Sequence, residues 1–249
     1  MKLLALIPAR GGSKGIPRKN LMILGGRPLI AYSILQAQAS KHINRVVVST
    51  DDDEIAHVAR QWGAEVPFMR PAEYAQDLSP DIDVFRHALT WLQENDHYRP
   101  EMVVHLRPTG PARQVALIDQ AIELLVAHPA ADAVRSVSVS LQTPYKMWRR
   151  GDSGFLEPLF RLPGLVDCQS LPRQQLPLTY WQNGYVDVLR PDAVLIKNSM
   201  CGDCVLPFVL EESTFELDYP ENIPDIEAAV QAIEQGNHSS RKSPFRHSV

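Results

Sequence analysis

The chain has 249 residues, of which 45% are hydrophobic and 22% are charged, and its formal net charge at pH 7 is -4. This size suffices for one sizeable core, and the nearly balanced charge gives no reason to expect a nucleic acid or a membrane surface as a partner. Three cysteines cannot all pair, the apolar run near the amino terminus is too short for a signal peptide, and no run of about 18 apolar residues occurs, so we expect a cytoplasmic protein.

Short apolar runs alternate with segments of helical periodicity along the first 140 residues. Continuous apolar runs predict buried strands at 2–9, 45–50, 101–106 and 132–140. Helical periodicity, with an acidic start and a glycine stop in the second case, predicts helices at 27–40, 51–63, 81–95 and 114–128. This alternation predicts an α/β fold with a mainly parallel sheet and helices on both faces, a three-layer α/β/α sandwich.

The pattern breaks between residues 141 and 180, which are rich in proline and aromatic residues and lack a helical period. We expect this segment to be a protruding arm that covers a site or contacts a second subunit, because long irregular segments in compact domains are usually functional. Regular structure is predicted to return with strands at 184–190 and 205–210 and a helix at 221–235. We therefore expect a single domain over 1–235 and a disordered tail at 236–249.

The loop after the first predicted strand, IPARGGSKGIPRKN (7–20), is both flexible and basic. A strand, a glycine-rich turn and a helix form a common phosphate-binding corner, because glycines let backbone amides approach an anion. Four basic side chains add charge there, namely Arg10, Lys14, Arg18 and Lys19. The glycine spacing fits neither a Walker A loop nor a dinucleotide-binding loop. The alternative is a solvated basic turn, although the carboxyl end of a central strand is where α/β proteins bind ligands.

ARGGSKGIPRKN (9–20) strongly resembles the nucleotide-binding motif of the sugar-acid cytidylyltransferases, the CMP-sialic acid synthetase family. The resemblance continues, in the family's order and spacing, through VSTDDDEIA (48–56), RPAEYAQD (70–77), LRPTGPAR (106–113), LPRQQLP (171–177), QNGYVDV (182–188) and FELDYPEN (215–222). It implies a Rossmann-like nucleotidyltransferase fold with an extended dimerisation arm at 141–180. The implied reaction couples CTP to a nine-carbon 2-keto-3-deoxy sugar acid of the N-acylneuraminate or legionaminate type, releasing pyrophosphate with the help of Mg²⁺.

The same resemblance implies roles for individual residues. The implied catalytic residues are Arg10, Lys14 and Asp218. The implied nucleotide-binding residues are Ala9, Arg10, Gly11, Ser13, Lys14, Asn20 and Arg70. The implied substrate-binding residues are Arg107, Arg113, Lys146, Arg173 and Asn183, and the implied ligands of Mg²⁺ are Asp218 and Glu216. Two carboxylates together with substrate phosphates and waters are a usual way to hold this ion.

The sequence departs from the family pattern at several of these positions. The family more often has aspartate at Glu216, glutamine at Arg107 and serine at Gly110, and Tyr185-Val-Asp replaces a more usual Ala-Ile-Tyr. The Arg107 guanidinium is expected either to favour a carboxylate or to pair with a nearby acid without a chemical role.

Each remaining assignment has a structural alternative. Arg70 has a surface role as its alternative, Arg113 a structural ion pair, Lys146 and Arg173 simple solvent exposure, and Asn183 a turn. For the acidic run 51–54 we favour a helix cap over a ligand site. The CGDC segment (201–204) lacks the partners of a zinc site and the helix context of a redox pair, so we expect inert cysteines.

Two other functions fit the same motifs. One is transfer to pseudaminic acid or another keto-deoxy sugar acid, and the changes at Arg107, Gly110 and 185–187 keep it open. The other is a non-catalytic nucleotide-sugar binder with the same fold. Intact Arg10, Lys14 and Asp218 argue for the enzyme.

Overall fold

A six-stranded sheet occupies the centre of the computed structural model, which describes residues 1–211 and 216–236. The sheet contains β1 (Leu3–Pro8), β4 (Arg45–Ser49), β5 (Met102–His105), β6 (Ala133–Val139), β9 (Tyr180–Leu189) and β10 (Val205–Val209). Their order is β10-β6-β9-β5-β1-β4. All pairs are parallel except those of β9, which runs antiparallel to both β5 and β6. The predicted mainly parallel sheet is therefore confirmed.

In the described part of the chain, six helices flank this sheet. They are α1 (Leu29–Ala39), α2 (Asp53–Gln61), α3 (Asp81–Asn95), α4 (Val115–Ala127), α5 (Pro191–Leu195) and α6 (Ile223–Glu234). Because alternate strand residues face opposite sides, Leu3, Ala5 and Ile7 of β1 pack in one core with α1, α2 and α4. Leu4 and Leu6 pack in a second core with α3 and α5. The result is the expected three-layer sandwich.

A third apolar cluster brings distant parts of the chain together beside the sheet. Ile16 of the basic loop and Leu217 are both buried in it, together with residues of α1 and α6. Leu217 also donates its backbone N–H to the Thr109 carbonyl at 2.7 Å. The carboxyl-terminal segment is thus fixed against the loops that follow β1 and β5.

Most predicted elements agree with the observed ones to within two residues, and the differences have local causes. Asp52 caps α2 by accepting from the Ile55 N–H at 2.9 Å, which confirms that the acidic run caps a helix. Pro28 is the N-cap residue of α1 and lies just before its first turn. β9 begins at Tyr180, earlier than expected, and α5 was not predicted because it spans only five residues.

The segment 141–180 is largely irregular, as expected, but it contains one small hairpin. Its strands are β7 (Trp148–Arg150) and β8 (Leu156–Pro158). A second short hairpin, β2 (Ile23–Leu24) with β3 (Arg27–Pro28), precedes α1 and was not predicted. The expected disordered tail lies, apart from Gly236, outside the described residues.

Candidate functional site

A cleft of about 570 Å³ opens at the carboxyl edge of the sheet, beside the ends of β1 and β5. The basic loop forms one wall and Arg107, Pro108 and Thr109 form another. The segment 74–81 and the Asp218–Tyr219 pair complete the lining. Parallel α/β sheets bind ligands at this edge, because the loops that follow neighbouring strands meet there.

The start of the basic loop is fixed by the neighbouring strand β4. The Ala9 N–H donates to the Ser49 carbonyl at 3.0 Å, and the Gly11 N–H donates to the Asp51 carboxylate at 3.0 Å. Ala9 is itself buried. These two bonds orient the turn and occupy the backbone N–H groups of Ala9 and Gly11. The expected contacts of these residues with a nucleotide would therefore involve other backbone atoms of the loop.

The far end of the loop is held by side chains. The Asn20 amide donates to the Arg10 carbonyl at 2.9 Å, and Asn20 is buried although it also lines the cleft. Arg18 turns away from the cleft and pairs with Asp52 and Glu54 of the α2 start. Asn20 therefore shapes the loop, and Arg18 anchors it to α2.

Arg10, Ser13 and Lys14 line the cleft, as the sequence predicted. Arg10 donates to the Gln76 carbonyl at 2.6 Å and lies 3.3 Å from the Asp77 carboxylate, to which Lys14 also pairs. The Lys14 side chain is 78% exposed. The shared ion pair with Asp77 is solvent-screened and weak, so both cations could exchange it for an anionic ligand, while Arg10 keeps its bond to the Gln76 carbonyl.

Lys19 joins the loop to the carboxyl-terminal segment, a function that the sequence analysis did not assign to it. Its ammonium donates to the Leu217 carbonyl at 2.7 Å and lies 3.4 Å from an Asp218 carboxylate oxygen. Gly15 approaches the same segment so closely that a Cβ there would lie 2.9 Å from the Asp218 carbonyl oxygen. The position of Lys19 within the basic motif was the available signal.

Asp218 and Glu216 lie in different surroundings. Asp218 lines the cleft with 57% of its side chain exposed. Glu216 lies outside that lining, and its carboxylate packs against Gly184, whose φ of +66° and lack of a side chain make room for it. Burial, followed by the negative charge of Asp218, raises the pKa of the Glu216 carboxyl above its ordinary value. Asp218 is thus the carboxylate presented to a ligand.

Arg70 forms part of the cleft wall but is largely buried. Its guanidinium bonds to the Ser49 hydroxyl at 3.1 Å, to the Ser49 carbonyl, and to the Tyr74 carbonyl at 3.4 Å. Burial lowers the pKa of Arg70 to about 10. The expected nucleotide contact would therefore involve a side chain that is already bonded to the main chain.

Arg107 lines the cleft and is paired with acids from two elements. Its Nη1 and Nη2 lie 3.2 and 3.3 Å from one Asp187 carboxylate oxygen, and Nη2 lies 3.5 Å from Asp81. The expected pairing with nearby acids is thus observed, and a contact with a ligand carboxylate stays a prediction. The guanidinium nevertheless remains part of the cleft wall.

Two residues expected to contact the substrate are buried in the fold. The Arg113 guanidinium is fully buried and bonds to the carbonyls of Gly110, Arg107 (2.6 Å) and Tyr185 (2.5 Å). Burial lowers the pKa of Arg113 to about 10. Asn183 is also fully buried, and the hydrogen bonds of its side-chain amide fix the backbone of β9 at this point. Both side chains are thus held by contacts inside the fold, and their expected substrate contacts stay predictions.

The two basic residues of the arm are not brought to the cleft. Lys146 is exposed at the end of a short 3₁₀ turn, and Arg173 donates to the Ser140 carbonyl at 2.6 Å. Neither belongs to the cleft lining of its own chain. Their expected substrate contacts therefore stay predictions.

The CGDC segment is a turn between α5 and β10, and its cysteines are free. Asp132 organises this turn by accepting from the Asp203 and Cys204 amides at 2.8 and 3.0 Å and from the Lys197 ammonium. The Lys197 charge and these amides lower the pKa of Asp132 to about 2. The arrangement fits the expectation of a structural turn.

Comparison with known proteins gives a consistent result. The family model described as cytidylyltransferase matches residues 4–147. The post-translational flagellin modification protein B of Campylobacter coli is 30% identical over 87% of this chain and 90% of its own length. A CMP-N,N'-diacetyllegionaminic acid synthase of Campylobacter jejuni is 32% identical over the same shares. A pseudaminic acid cytidylyltransferase of that species is 42% identical over 51% of this chain and 54% of its own length.

Solved structures share the fold. The structure of a CMP:2-keto-3-deoxy-manno-octonic acid synthetase complexed with CTP superposes with a TM-score of 0.69 over 94% of this chain and 100% of that chain. Sequence identity in that comparison is 16%, so it supports the architecture alone.

We predict that Arg113→Met lowers the free energy of unfolding by about 3 kcal/mol or more, because three carbonyls lose a charged donor and each such bond contributes about 1.5–3 kcal/mol. Urea denaturation followed by circular dichroism measures this. Lys146→Met is the matched control, since that side chain is exposed, and should change stability by no more than about 0.5 kcal/mol. Equal stabilities of the two variants would contradict a structural role for Arg113.

Proposed function

The chain belongs to the cytidylyltransferase family, and from that premise we propose that it transfers a cytidylyl group from CTP to a nine-carbon 2-keto-3-deoxy sugar acid of the N-acylneuraminate or legionaminate type. The relatives named for legionaminic acid support this substrate class. The observation that carries the proposal is the meeting of Arg10, Lys14 and Asp218 in one cleft at the carboxyl edge of the sheet. Cations and a carboxylate in that arrangement suit a polyphosphate and its counter-ion.

In the proposed reaction, the anomeric hydroxyl oxygen of the sugar forms a bond to the α-phosphorus of CTP. The bond from that phosphorus to the bridging oxygen of the β-phosphate breaks in line, pyrophosphate leaves, and the hydroxyl proton passes to solvent. Arg10 and Lys14 would exchange Asp77 for the β- and γ-phosphates and stabilise the charge that builds on the leaving group. Such transfers depend mainly on positioning and electrostatics.

We propose Mg²⁺ as the metal, with Asp218 as its main protein ligand. In the described residues no group of three or more His, Cys, Asp or Glu side chains could hold a metal alone, so the phosphates of the substrate would complete the shell. Asp218 fits this role because it is a hard oxygen donor exposed to the cleft. Glu216, which lies outside the cleft lining, would act on the ion through its negative charge or through a bridging water. When bound, Mg²⁺ supplies charge neutralisation at the phosphates.

A second acceptor is pseudaminic acid, favoured by the match to a pseudaminic acid cytidylyltransferase. The paired Arg107 at the cleft wall, where the family more often has glutamine, is consistent with a different sugar. A non-catalytic nucleotide-sugar binder remains the alternative from another class. An intact Asp218 in the cleft argues against it.

We also propose that the arm at 141–180 forms a homodimer. Among the described residues, 13 of the 22 exposed large hydrophobic side chains lie between Val139 and Trp181. Exposed apolar surface of this density usually marks an interface, and a second copy with the same surface would cover it symmetrically. A partner's arm could then bring Lys146 and Arg173 towards this cleft.

Across residues 1–211 and 216–236, every helix is too short or too polar to cross a bilayer. Free cysteines at 168, 201 and 204 suit a reducing compartment, and we propose the cytoplasm as the site of action.

We predict pyrophosphate release with CTP, Mg²⁺ and one nine-carbon sugar acid. The panel comprises N-acetylneuraminic, legionaminic, pseudaminic and 3-deoxy-octulosonic acids, with ATP, GTP and UTP as nucleotide controls. Excess EDTA should abolish release, and added Mg²⁺ should restore it. Silence with every acid, while CTP still binds by calorimetry, would favour the non-catalytic binder instead.

We predict that Gly15→Ala lowers kcat/KM by about ten- to a hundredfold, because its Cβ would push the Asp218 backbone away from the loop. Steady-state kinetics with CTP measures this. Gly12→Ala is the matched control in the same loop, since a Cβ at Gly12 meets no atom within 4 Å. Equal activity of the two variants would show that the close approach of Gly15 to the Asp218 backbone does not contribute to catalysis.

We predict that the wild-type chain elutes as a dimer of about 56 kDa by light scattering, twice its mass of 27.9 kDa. The double variant Phe155→Glu/Val166→Glu should elute as a monomer, because both side chains are highly exposed within the arm. Ile196→Glu, exposed outside the arm, is the control and should remain dimeric. A monomeric wild-type chain would refute the proposed interface.

A further inference from the structure

A row of polar side chains crosses three adjacent strands beneath the cleft. His105 of β5 and Arg135 of β6 both lie opposite Asp187 of β9 in the strand register. Directly paired residues face the same side of a sheet, and here that side is the one covered by α3, since His105 packs edge-on against Phe85 at 4.7 Å. Asp187 is therefore the acid at the centre of this row, on the face of the sheet that α3 covers.

Asp187 binds two guanidinium groups with its two carboxylate oxygens. Oδ2 accepts from Arg107, and Oδ1 accepts from Arg135 at 3.1 Å. The Asp187 side chain is only 2% exposed, so this carboxylate depends on both partners. His105, 3.9 Å away and fully buried, stays neutral because burial and the neighbouring arginines hold its pKa well below the ordinary value.

Arg107 keeps donors for a ligand on its other side. A guanidinium has five N–H donors, and the contact with Asp187 uses those that point into the protein. The cleft-side contact with Asp81 is 3.5 Å long, beyond an ordinary hydrogen bond, and Asp81 is 45% exposed. A ligand carboxylate could therefore replace Asp81 at small cost, whereas Asp187 cannot be displaced.

Arg107 also differs from the other cations of the cleft. Arg10, Lys14 and Lys19 belong to the phosphate loop, and Arg70 is bonded to main-chain carbonyls. Arg107 follows β5, the neighbouring strand, so it lies on the cleft wall beside that loop. It is the cation placed to meet an acidic group that is not part of the triphosphate.

We propose that Asp187 is a positioning residue that fixes the Arg107 guanidinium in the cleft wall, where Arg107 binds the carboxylate of the sugar-acid substrate in exchange for Asp81. This assignment rests on the proposed function, because it requires an acceptor with a carboxylate. The pair acts as one unit of substrate selection.

The test is a double-mutant cycle on the full-length enzyme, with KM measured separately for CTP and for the sugar acid that wild type accepts. Asp187→Asn and Arg107→Gln should each raise KM for the sugar acid about tenfold and leave KM for CTP within about twofold. The double variant should be no worse than Arg107→Gln alone, because the two residues act through one guanidinium. Asp81→Asn should lower KM for the sugar acid.

A ligand without the charge provides the second readout. The methyl ester of the same sugar acid, tested as a competitive inhibitor, should have an equal inhibition constant with wild type and with Asp187→Asn. Asp119→Asn is the control for loss of a buried carboxylate, since Asp119 is buried, accepts from Ser40 at 2.6 Å and lies outside the cleft lining. It should leave both KM values unchanged.

The outcomes separate the two proposals. No turnover by wild type with any acid would overturn both the proposed function and this assignment. An active wild type with additive effects, or with equal increases in both KM values, would overturn only the assignment. Should Asp187→Asn fail to fold, Arg107→Lys keeps the charge but loses the planar fork, and it should raise KM for the sugar acid alone.

Discussion

The contact between the basic loop and the segment around Asp218 is the constraint on which the site depends. Lys19 donates to the Leu217 carbonyl, Leu217 is buried with Ile16, and its N–H reaches the Thr109 carbonyl. Segments from the start, the middle and the end of the chain thereby meet at one edge of the sheet. Asp218 owes its place beside the loop to this apolar and hydrogen-bonded junction, since its own charge pair with Lys19 is long and half exposed.

Preorganisation is the physical reason for such fixation. A leaving pyrophosphate gains negative charge during the reaction, and donors that are already oriented stabilise it without reorganisation. The hydrogen bonds of Gly11 and Asn20 fix the shape of the loop, whereas the ion pairs of Arg10 and Lys14 with Asp77 are exchangeable. Rigid backbone and replaceable side-chain partners are compatible because they involve different atoms.

The sequence predicted the layered fold and drew attention to the basic loop because both depend on local patterns. Apolar periodicity located the strands and helices, and the basic motif placed Arg10, Ser13 and Lys14 in the cleft. Burial of individual polar side chains was not predictable in this way. Arg113 fits a family motif, yet its environment is set by carbonyls of residues 107, 110 and 185, which only tertiary folding brings together. The pairing of Asp187 with Arg107 was not predictable for the same reason, because the two residues lie 80 positions apart in the chain.

The cleft thus handles charge in two different ways. On the basic loop, cations with exposed partners suit a substrate that brings most of its charge and its counter-ion with it. At the β5 end, the Arg107 guanidinium is supported by the buried carboxylate of Asp187. Because Asp187 is buried, it cannot turn towards solvent or a ligand, and it therefore fixes the direction of Arg107. A cation held in this way suits a single acidic group. Loss of Arg107 alone would leave Asp187 buried with Arg135 as its partner, and loss of Asp187 alone would leave Arg107 without its fixed direction. Under the proposed function, the β5 end of the cleft is therefore where a change of sugar would call for linked changes at Arg107 and Asp187.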